Sequence, residues 1–392
     1  MSDAERPARI LPVIIASQFA GSSLWFAGNA ILPELQRDWG LAADAPGHVT
    51  AAVQFGFIAG TLVFALLALA DRFSPRAVFL VCALAGAGAN LALVALPPSF
   101  AALLLLRFAT GFCLAGIYPV GMKIAAGWYA SGLGRALGWL VGALVVGTAF
   151  PHLLRGLGAA LPWAGVLAGV SACAALGGLA MYWLVPDGPQ LKRGARFDPG
   201  AVRTIFAGRE LRSAAFGYFG HMWELYTWWA FLPAIVAAWG VQHDTTPAVS
   251  LWSFAAIAAG ALGCIIGGEL SPRWGSARVA QVQLAVSCAC CLLAPLAFGL
   301  PGPLFFAYLL VWGITVVGDS PQFSTLTARA APPAYLGSAL TWVTAIGFGI
   351  TVVSIQLFGS LVQHWPIAWL LPLLALGPLP GLLAIRPLAG QR

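Results

Sequence analysis

Long apolar runs, separated by short polar segments, follow one another along the whole chain. In the first half these runs lie near residues 10–33, 48–70, 76–97, 99–122, 133–153 and 162–185. In the second half they lie near 213–238, 248–270, 277–299, 301–325, 335–360 and 365–386. A run of about 20 apolar residues can cross the hydrocarbon core of a bilayer as a helix. Since the runs lack the alternation typical of membrane strands, the pattern predicts an all-α membrane protein with twelve transmembrane helices.

The two halves of the chain repeat one another. The segment Leu133–Trp139 reads LGRALGW and returns as LGSALTW at Leu336–Trp342, each time at the start of a glycine-rich apolar run. In the same way, Gly116-Ile-Tyr-Pro119 returns as Gly318-Asp-Ser-Pro321. An internal repeat of this length indicates two copies of one structural unit. The sequence therefore predicts two pseudo-symmetric six-helix bundles.

One long polar segment separates the two units. It starts with Pro-Asp-Gly-Pro and carries six basic residues. We expect an N-terminal bundle over 1–185, a cytoplasmic basic linker over 186–212 and a C-terminal bundle over 213–392. Retention of positive charge in the cytoplasm explains the basic run, and a contact with lipid headgroups is the alternative.

Composition and charge exclude a soluble protein. Of the 392 residues, 60% are hydrophobic and 8% are charged, whereas soluble domains are about a quarter charged. The Lys and Arg residues of the loops gather on one side of the predicted membrane, and the opposite loops hold only Arg37 and Arg155. Because cytoplasmic loops retain positive charge, we expect a multi-pass protein of the cytoplasmic (inner) membrane with both termini in the cytoplasm. The same rule explains the net charge of +7 without nucleic-acid binding.

The residue types give little support to metal, cofactor or enzyme chemistry. All 7 Cys lie within apolar runs, where cysteine behaves as a small hydrophobic residue. Neither a metal ion nor a cofactor is expected, although Cys288, Cys290 and Cys291 place soft ligands close together. The 5 His are scattered along the chain, so the sequence shows no catalytic grouping and we do not expect an enzyme.

Two cytoplasmic loops carry a related motif. One contains Leu67-Ala-Leu-Ala-Asp-Arg-Phe-Ser-Pro-Arg76, and the other contains Gly268-Glu-Leu-Ser-Pro-Arg-Trp-Gly-Ser-Ala-Arg278. Together with the six-plus-six helices and the repeat, these loops resemble the major facilitator superfamily, whose loop motif is Gly-x-Leu-x-Asp-Arg-x-Gly-Arg. Both copies are incomplete, because Leu67 and Ser74 replace glycines and Pro272 replaces the aspartate.

The resemblance implies a cytoplasmic gate in these loops. Its members are Asp71, Arg72, Arg273 and Gly275. Their charges would pair across the two halves in one conformation and separate in the other, which biases a two-state equilibrium. The alternative is that these charges only fix the topology.

A charge inside the membrane costs several kcal/mol and marks a candidate functional site. Arg107 lies roughly 12 Å from the nearer membrane face, at about 1.5 Å per residue. The sequence Arg107-Phe-Ala-Thr-Gly111 resembles the fourth-helix motif of the superfamily, in which the arginine is associated with proton coupling. Arg107, Gly111 and Tyr118 share one helical face, so we expect them to line a cavity. The alternative is an arginine that ties helices together through backbone carbonyls.

The seventh run holds the densest candidate chemistry. His221 and Glu224 are three residues apart and therefore share a helical face. A carboxylic acid in apolar surroundings can take up and release a proton near neutral pH, and a nearby imidazole can share it. We expect Glu224 to carry the proton with His221 as its partner, and Trp228 to stack on a flat or cationic substrate. The alternatives are a His–Glu pair that locks helix packing and an indole that anchors the helix at the interface.

Further polar residues lie in the first and tenth runs. Asp319 is assigned to the substrate site or to the inner gate. Trp25 and Asn29 belong to one polar stripe of the first run. The resemblance implies that helices one, four, seven and ten face the transport pathway, so both residues are expected to line it.

These residues predict a secondary transporter that works by alternating access. We expect proton-coupled uptake of a small organic or inorganic anion, with Arg107 attracting the anion. The compact scaffold is similar to the cyanate and nitrate porter branch, although the arginines of its second and eighth helices are missing here. The alternatives are a proton-driven exporter of amphipathic or cationic compounds and a non-transporting membrane sensor. The expected partners are a small-molecule substrate, protons and the lipid bilayer, and the protein is expected to be a monomer.

Overall fold

A computed structural model describes residues 7–42, 44–129, 133–157, 161–191, 198, 200–332 and 335–390. Within the first half, its helices are α1 (Ile10–Ser22), α2 (Ala27–Trp39), α3 (Ala45–Leu66), α4 (Leu69–Arg72), α5 (Pro75–Ala95), α6 (Phe100–Leu114), α7 (Tyr118–Trp128), α8 (Leu133–Leu157) and α9 (Trp163–Leu184). Within the second half, they are α10 (Ala201–Ala207), α11 (Arg209–Gln242), α12 (Val249–Trp274), α13 (Ser276–Ala297), α14 (Gly302–Gly318), α15 (Ser320–Ala330), α16 (Leu336–Leu361), α17 (Ile367–Leu370), a 3-10 helix (Leu371–Leu376) and α18 (Pro378–Ala389). The prediction of an all-α protein is confirmed.

The helices combine into membrane spans close to the predicted ones. Eleven stretches of the described residues are long and apolar enough to cross a membrane. Span 1 consists of α1 and α2, span 4 of α6 and α7, span 10 of α14 and α15, and span 12 of α17, the 3-10 helix and α18. The predicted seventh span is α11, which is 34 residues long. It is not among the eleven, because its polar and aromatic side chains lower its mean hydropathy.

Among the described residues, spans 1, 4, 10 and 12 are interrupted near their middle, and the internal repeat coincides with two of the breaks. Span 4 breaks between Leu114 and Tyr118, within the segment 116–119, and span 10 breaks at Asp319, within the segment 318–321. The prolines of the repeat lie in the first turn of the helix that follows each break. Proline lacks an N–H group and fits that position, where the group would have no intrahelical acceptor. Span 1 breaks at 23–26.

Glycines bring spans 2 and 4 into close contact, and the same crossing recurs between spans 8 and 10. A Cβ atom on Gly111 would overlap the carbonyl oxygen of Val53. A Cβ atom on Gly313 would likewise overlap the carbonyl oxygen of Ala256. Only a residue without a side chain allows the backbones to approach this closely. The repeated sequence thus encodes the same helix crossing twice.

We expect Gly111→Ala and Gly313→Ala each to lower the free energy of unfolding by roughly 1–3 kcal/mol, because the added methyl group must displace a backbone carbonyl. Gly88 is the control, since a Cβ atom there meets nothing within 4 Å. Gly88→Ala should leave stability unchanged or raise it slightly, because alanine favours the helix. Thermal unfolding of the purified variants in detergent compares them. Equal stability of Gly111→Ala and the control would show that the spans tolerate a wider separation.

Helices of the first and second halves also meet each other. α8 packs along α12, where a Cβ atom on Gly142 would lie 3.5 Å from the carbonyl oxygen of Ala261. α3 packs against α16, where a Cβ atom on Gly47 would lie 3.6 Å from the carbonyl oxygen of Ile355. The division into bundles at 186–212 stays a prediction, and residues 192–197 and 199 of the proposed linker lie outside the described residues.

Candidate functional site

Arg107 lies in the interior of the first half and joins three spans. Its guanidinium donates hydrogen bonds to the carbonyl oxygens of Leu24 at 2.8 Å and Trp25 at 2.6 Å. It also donates to Oδ1 of Asn90 at 3.0 Å. Both carbonyls lie in or beside the break of span 1, where the interrupted helix leaves acceptors free. Arg107 is only 2% exposed. Its hydrogen bonds therefore tie spans 1, 3 and 4 together in the protein interior, and all three acceptors are neutral oxygens. This geometry matches the helix-tying alternative considered for it.

Glu224 occupies the corresponding interior position in the second half. Its carboxylate accepts hydrogen bonds from Ser287 Oγ at 2.9 Å and from Trp312 Nε1 at 2.5 Å. Trp228 packs on the indole of Trp312 with the ring centroids 5.3 Å apart. Glu224 therefore joins spans 7, 9 and 10 from within the second half, and Trp228 shares that location.

The two clusters are equivalent in the repeat and opposite in charge. Spans 1, 3 and 4 meet at Arg107, whereas spans 7, 9 and 10 meet at Glu224. These are the same three spans of each six-helix unit, counted from its start. One half thus holds a buried guanidinium at this junction and the other a buried carboxylate. The electric field inside the protein is therefore asymmetric, although the two halves repeat the same backbone fold.

His221 pairs with Asp319 rather than with Glu224. Nδ1 of the imidazole lies 2.8 Å from Oδ1 of Asp319, and both side chains are almost fully buried. Asp319 stands at the break between α14 and α15, where the helix is already interrupted. The rings of Tyr218 and Phe323 lie against the imidazole, with centroid distances of 5.8 and 6.0 Å. The predicted pairing of His221 with Glu224 is thus absent from the contacts of the described residues, and a His–Asp pair between spans 7 and 10 replaces it.

A different face of α11 meets the first half of the protein. This face carries Tyr218, Met222, Tyr226 and Trp229, which repeat at helical spacing. The ring of Tyr226 stacks on Trp25 with the centroids 5.7 Å apart. Trp229 meets Phe26 edge to face at 5.9 Å. Trp229 therefore faces span 1, whereas Trp228, which was predicted to stack on a substrate, packs on Trp312 inside the second half.

Rings from spans 1, 2, 7 and 11 form a buried aromatic cluster between the two halves. Its members are Trp25, Phe26, Phe57, Tyr226, Trp229 and Phe348. Phe57 and Phe348 come closest, with their ring centroids 4.4 Å apart. The cluster lies at mid-span and includes Trp25, whose carbonyl oxygen binds Arg107. Apolar rings and a nearby guanidinium thus share one region of the molecule.

Polar groups border the aromatic cluster. Asn29 Nδ2 donates to Thr50 Oγ1 at 2.7 Å, and Trp25 Nε1 lies 3.4 Å from Gln54 Oε1. Within the described part of the chain, Nε2 of Gln54, Nε1 of Trp229 and Oδ1 of Asn29 are buried without a hydrogen-bond partner. Buried polar groups are nearly always paired in proteins. Two free donors and one free acceptor therefore mark this region as one where a ligand can bind.

Comparison with known proteins decides the family. Residues 13–355 match the family model described as Major Facilitator Superfamily. The chain belongs to the major facilitator superfamily. No curated protein matches the sequence.

Solved transporters share this superfamily fold. The proton:xylose symporter XylE has a TM-score of 0.74 at 13% identity, with 96% of this chain and 95% of that chain covered. The human organic anion transporter MFSD10 has a TM-score of 0.70 at 15% identity, with 97% of this chain and 100% of that chain covered. The Escherichia coli fucose:proton symporter FucP has a TM-score of 0.67 at 15% identity, with 97% and 98% covered. The protein is thus a membrane transporter rather than an enzyme.

The superfamily loop motifs contain the predicted gate residues. Asp71 forms an ion pair with Lys123 of span 4 at 2.5 Å. Arg72 and Arg273 are exposed, and Gly275 adopts a positive φ of 82° in the turn before α13. An ion pair at 2.9 Å between Arg135 and Glu269 joins α8 to α12 beside these loops. The contact between the halves is therefore made by neighbours of the predicted residues.

Several residues of this superfamily site escaped the sequence analysis. Asn90 and Gln54 are single amides within apolar spans, and this isolation was a usable signal. The stripe from Tyr218 to Trp229 could have been found by its helical spacing. Ser287 and Trp312 carried no such signal, because small hydroxyls and indoles are common in membrane helices. Tyr118 lies near Tyr218 and Cys264, at the junction of the halves.

Proposed function

We propose that this transporter takes up a small organic anion together with a proton. The observation that carries the proposal is the buried Arg107 beside the aromatic cluster. Its hydrogen bonds within the described residues go to neutral oxygens, so its positive charge is not cancelled by a carboxylate in contact with it. In the low-dielectric interior an uncancelled charge acts over a longer range than in water.

The groups around the cluster complement an anion with a flat apolar body. The rings of Trp25, Tyr226 and Phe348 offer apolar faces, and the free N–H groups of Gln54 and Trp229 offer donors. An anion supplies only acceptors, which such donors match. A small anion is also the substrate class of the cyanate and nitrate porter branch. We favour an organic anion over an inorganic one because aromatic rings form most of the cluster.

The alternative of a cation exporter finds less support. A cation needs a free carboxylate in the pathway. Glu224 is bonded to Ser287 and Trp312 inside the second half, and Asp319 is paired with His221. The aromatic cluster alone is what favours this alternative, because ring faces attract cations.

The proposed proton site is the His221–Asp319 pair. It lies at a helix break and beside the ring of Tyr218. Transfer of a proton to the pair changes its charge and therefore the attraction between spans 7 and 10, which couples protonation to helix movement. Glu224 is the competing proton carrier. Its carboxylate already accepts hydrogen bonds from Ser287 and Trp312, and such bonds favour the ionised form.

Orientation, gating and oligomeric state complete the proposal. The protein would lie in the cytoplasmic (inner) membrane with both termini in the cytoplasm. The reason is that the loops on the side of the termini carry most of the Lys and Arg residues. A cytoplasmic gate at Asp71, Arg72, Arg273 and Gly275 would include the Arg135–Glu269 contact. The two halves would rock about the aromatic cluster in a monomer.

A matched trio of ligands tests the substrate class. Benzoate, benzamide and benzylamine share one ring and differ in charge. We expect benzoate to raise the melting temperature of the purified protein more than benzamide, and benzylamine to have no effect, since binding to the folded state stabilises it. Nitrate and cyanate serve as small inorganic anions. Stabilisation by benzylamine alone would contradict the anion proposal and support the cation exporter.

A further inference from the structure

A crevice on the side of the second half runs between α11 and α18, with α16 at its back. Its volume is about 450 Å³, and Phe216, Phe219, Trp223, Ile350, Leu376 and Ala384 line it. The lining is apolar, and Phe216 and Leu376 are about half exposed at its rim. The indole of Trp223 donates to the carbonyl oxygen of Leu373 at 3.2 Å and closes one end. Because the crevice lies between two membrane spans, it faces the hydrocarbon core of the bilayer.

Glycine contacts set the alignment of the two helices that form the crevice. Gly220 abuts Gly377, and a Cβ atom on Gly381 would lie 3.3 Å from the carbonyl oxygen of Gly217. α11 and α18 are therefore antiparallel, because a lower residue number on α11 faces a higher residue number on α18. This alignment puts the N-terminal end of α11, with the exposed Arg209 and Arg212, at one end of the crevice.

The basic residues continue the face of α11 that lines the crevice. Arg209, Arg212, Phe216 and Trp223 follow one another at helical spacing on an uninterrupted helix. Arg212 donates one hydrogen bond, to the carbonyl oxygen of Phe206 at 3.1 Å, and its guanidinium has further donors. The acidic Glu210 is two residues from Arg212, on the opposite side of the helix. The crevice therefore has an apolar body and a cationic mouth.

We propose that this crevice binds an anionic phospholipid of the bilayer. One acyl chain occupies the space between Phe216 and Trp223, and the phosphate lies against Arg209 and Arg212 at the end of the crevice. Charge complementarity selects the occupant: guanidinium groups bind phosphate oxygens in a bidentate manner, and basic clusters at a membrane surface attract acidic lipids. A zwitterionic lipid would fill the same space without the net attraction.

The experiment compares phosphatidylglycerol with phosphatidylcholine on the full-length protein in detergent micelles. The readout is the difference between the melting temperatures in the two lipids, which cancels any change in intrinsic stability. For the wild type we expect a higher melting temperature in phosphatidylglycerol. The double variant Arg209→Gln/Arg212→Gln should lose most of this difference and bind phosphatidylglycerol about 25-fold more weakly, at about fivefold per arginine. Arg329→Gln, an exposed arginine at the end of α15, is the matched control and should keep the difference.

A second variant fills the crevice without touching the arginines. Ala384→Phe should also reduce the difference, because the acyl chain loses its space. Equal differences in the wild type, the double variant and Ala384→Phe would overturn the proposal and reduce the effect to general surface charge. No difference between the two lipids in the wild type would overturn it as well. A last variant, Ala384→Cys, is labelled with a thiol reagent. If benzoate protects this cysteine from labelling and lipid does not, the crevice binds the substrate and the lipid proposal is wrong.

Discussion

Arg107→Ala will abolish uptake and destabilise the protein at the same time. The substitution leaves the carbonyl oxygens of Leu24 and Trp25 and the amide oxygen of Asn90 without their donor. A buried acceptor left unpaired costs about 1–3 kcal/mol, so the loss of three partners is among the largest effects expected from one side chain here. The same change removes the charge that we propose attracts the anion. Thermal unfolding and uptake of radiolabelled benzoate by proteoliposomes measure the two effects.

Two further variants separate the structural role of Arg107 from its electrostatic role. Asn90→Ala removes one hydrogen-bond partner but keeps the guanidinium, so stability should fall while uptake by the folded fraction persists. Arg107→Lys keeps the charge but cannot reproduce the planar set of donors, so we expect partial stability and weakened uptake. Normal uptake by a folded Arg107→Ala variant would show that the charge has no part in transport.

Asp319→Asn will uncouple transport from the proton gradient. An amide in place of the carboxylate removes the ion pair with His221 and the proton that the pair would exchange. For one proton per monovalent anion, each pH unit supports about tenfold accumulation. We expect Asp319→Asn to lose this accumulation and to retain exchange of internal for external benzoate, because exchange needs no net proton movement.

Glu224→Gln is the matched control for Asp319→Asn. It also exchanges a buried carboxylate for an amide. The amide oxygen can still accept from Trp312, and the amide N–H can donate to Ser287 Oγ, whose hydroxyl also donates to the carbonyl oxygen of Leu284. Under our proposal this variant still accumulates benzoate in a gradient. The reverse pattern, with accumulation lost in Glu224→Gln and kept in Asp319→Asn, would assign the proton to Glu224.

The architecture could be predicted from sequence because the bilayer imposes it. Each apolar run must form a helix that satisfies its own backbone hydrogen bonds, so length and hydropathy are sufficient to place the spans. The duplicated Gly-x-x-Pro segments likewise encode real features, the breaks of spans 4 and 10. The apolar run near 213–238 also predicted α11, although α11 is not among the eleven stretches that are long and apolar enough by mean hydropathy.

Partners within the site could not be predicted in the same way. Spacing placed His221 and Glu224 on one face, but it did not show that Asp319 lies nearer to the imidazole. Trp228 and Trp229 are adjacent in sequence, and about 100° of helical rotation sends one into the second half and the other towards span 1. Such choices depend on the relative rotation of helices, which side-chain packing between distant segments determines. The gate shows the same limit. Arg135 lies in the repeated segment 133–139 and Glu269 in the loop motif 268–278, but neither pattern showed that the two side chains meet across the halves.

Simultaneous measurement of anion uptake and internal pH in proteoliposomes tests proton-coupled anion transport most directly. The wild-type protein is reconstituted, an inward proton gradient is applied, and labelled benzoate is added while a trapped dye reports the internal pH. We predict that benzoate accumulates, that the interior acidifies faster than in protein-free vesicles, and that an ionophore abolishing the gradient abolishes accumulation. Benzoate uptake above that of protein-free vesicles but independent of the gradient would contradict coupling, and gradient-driven extrusion of benzylamine without benzoate uptake would contradict anion transport.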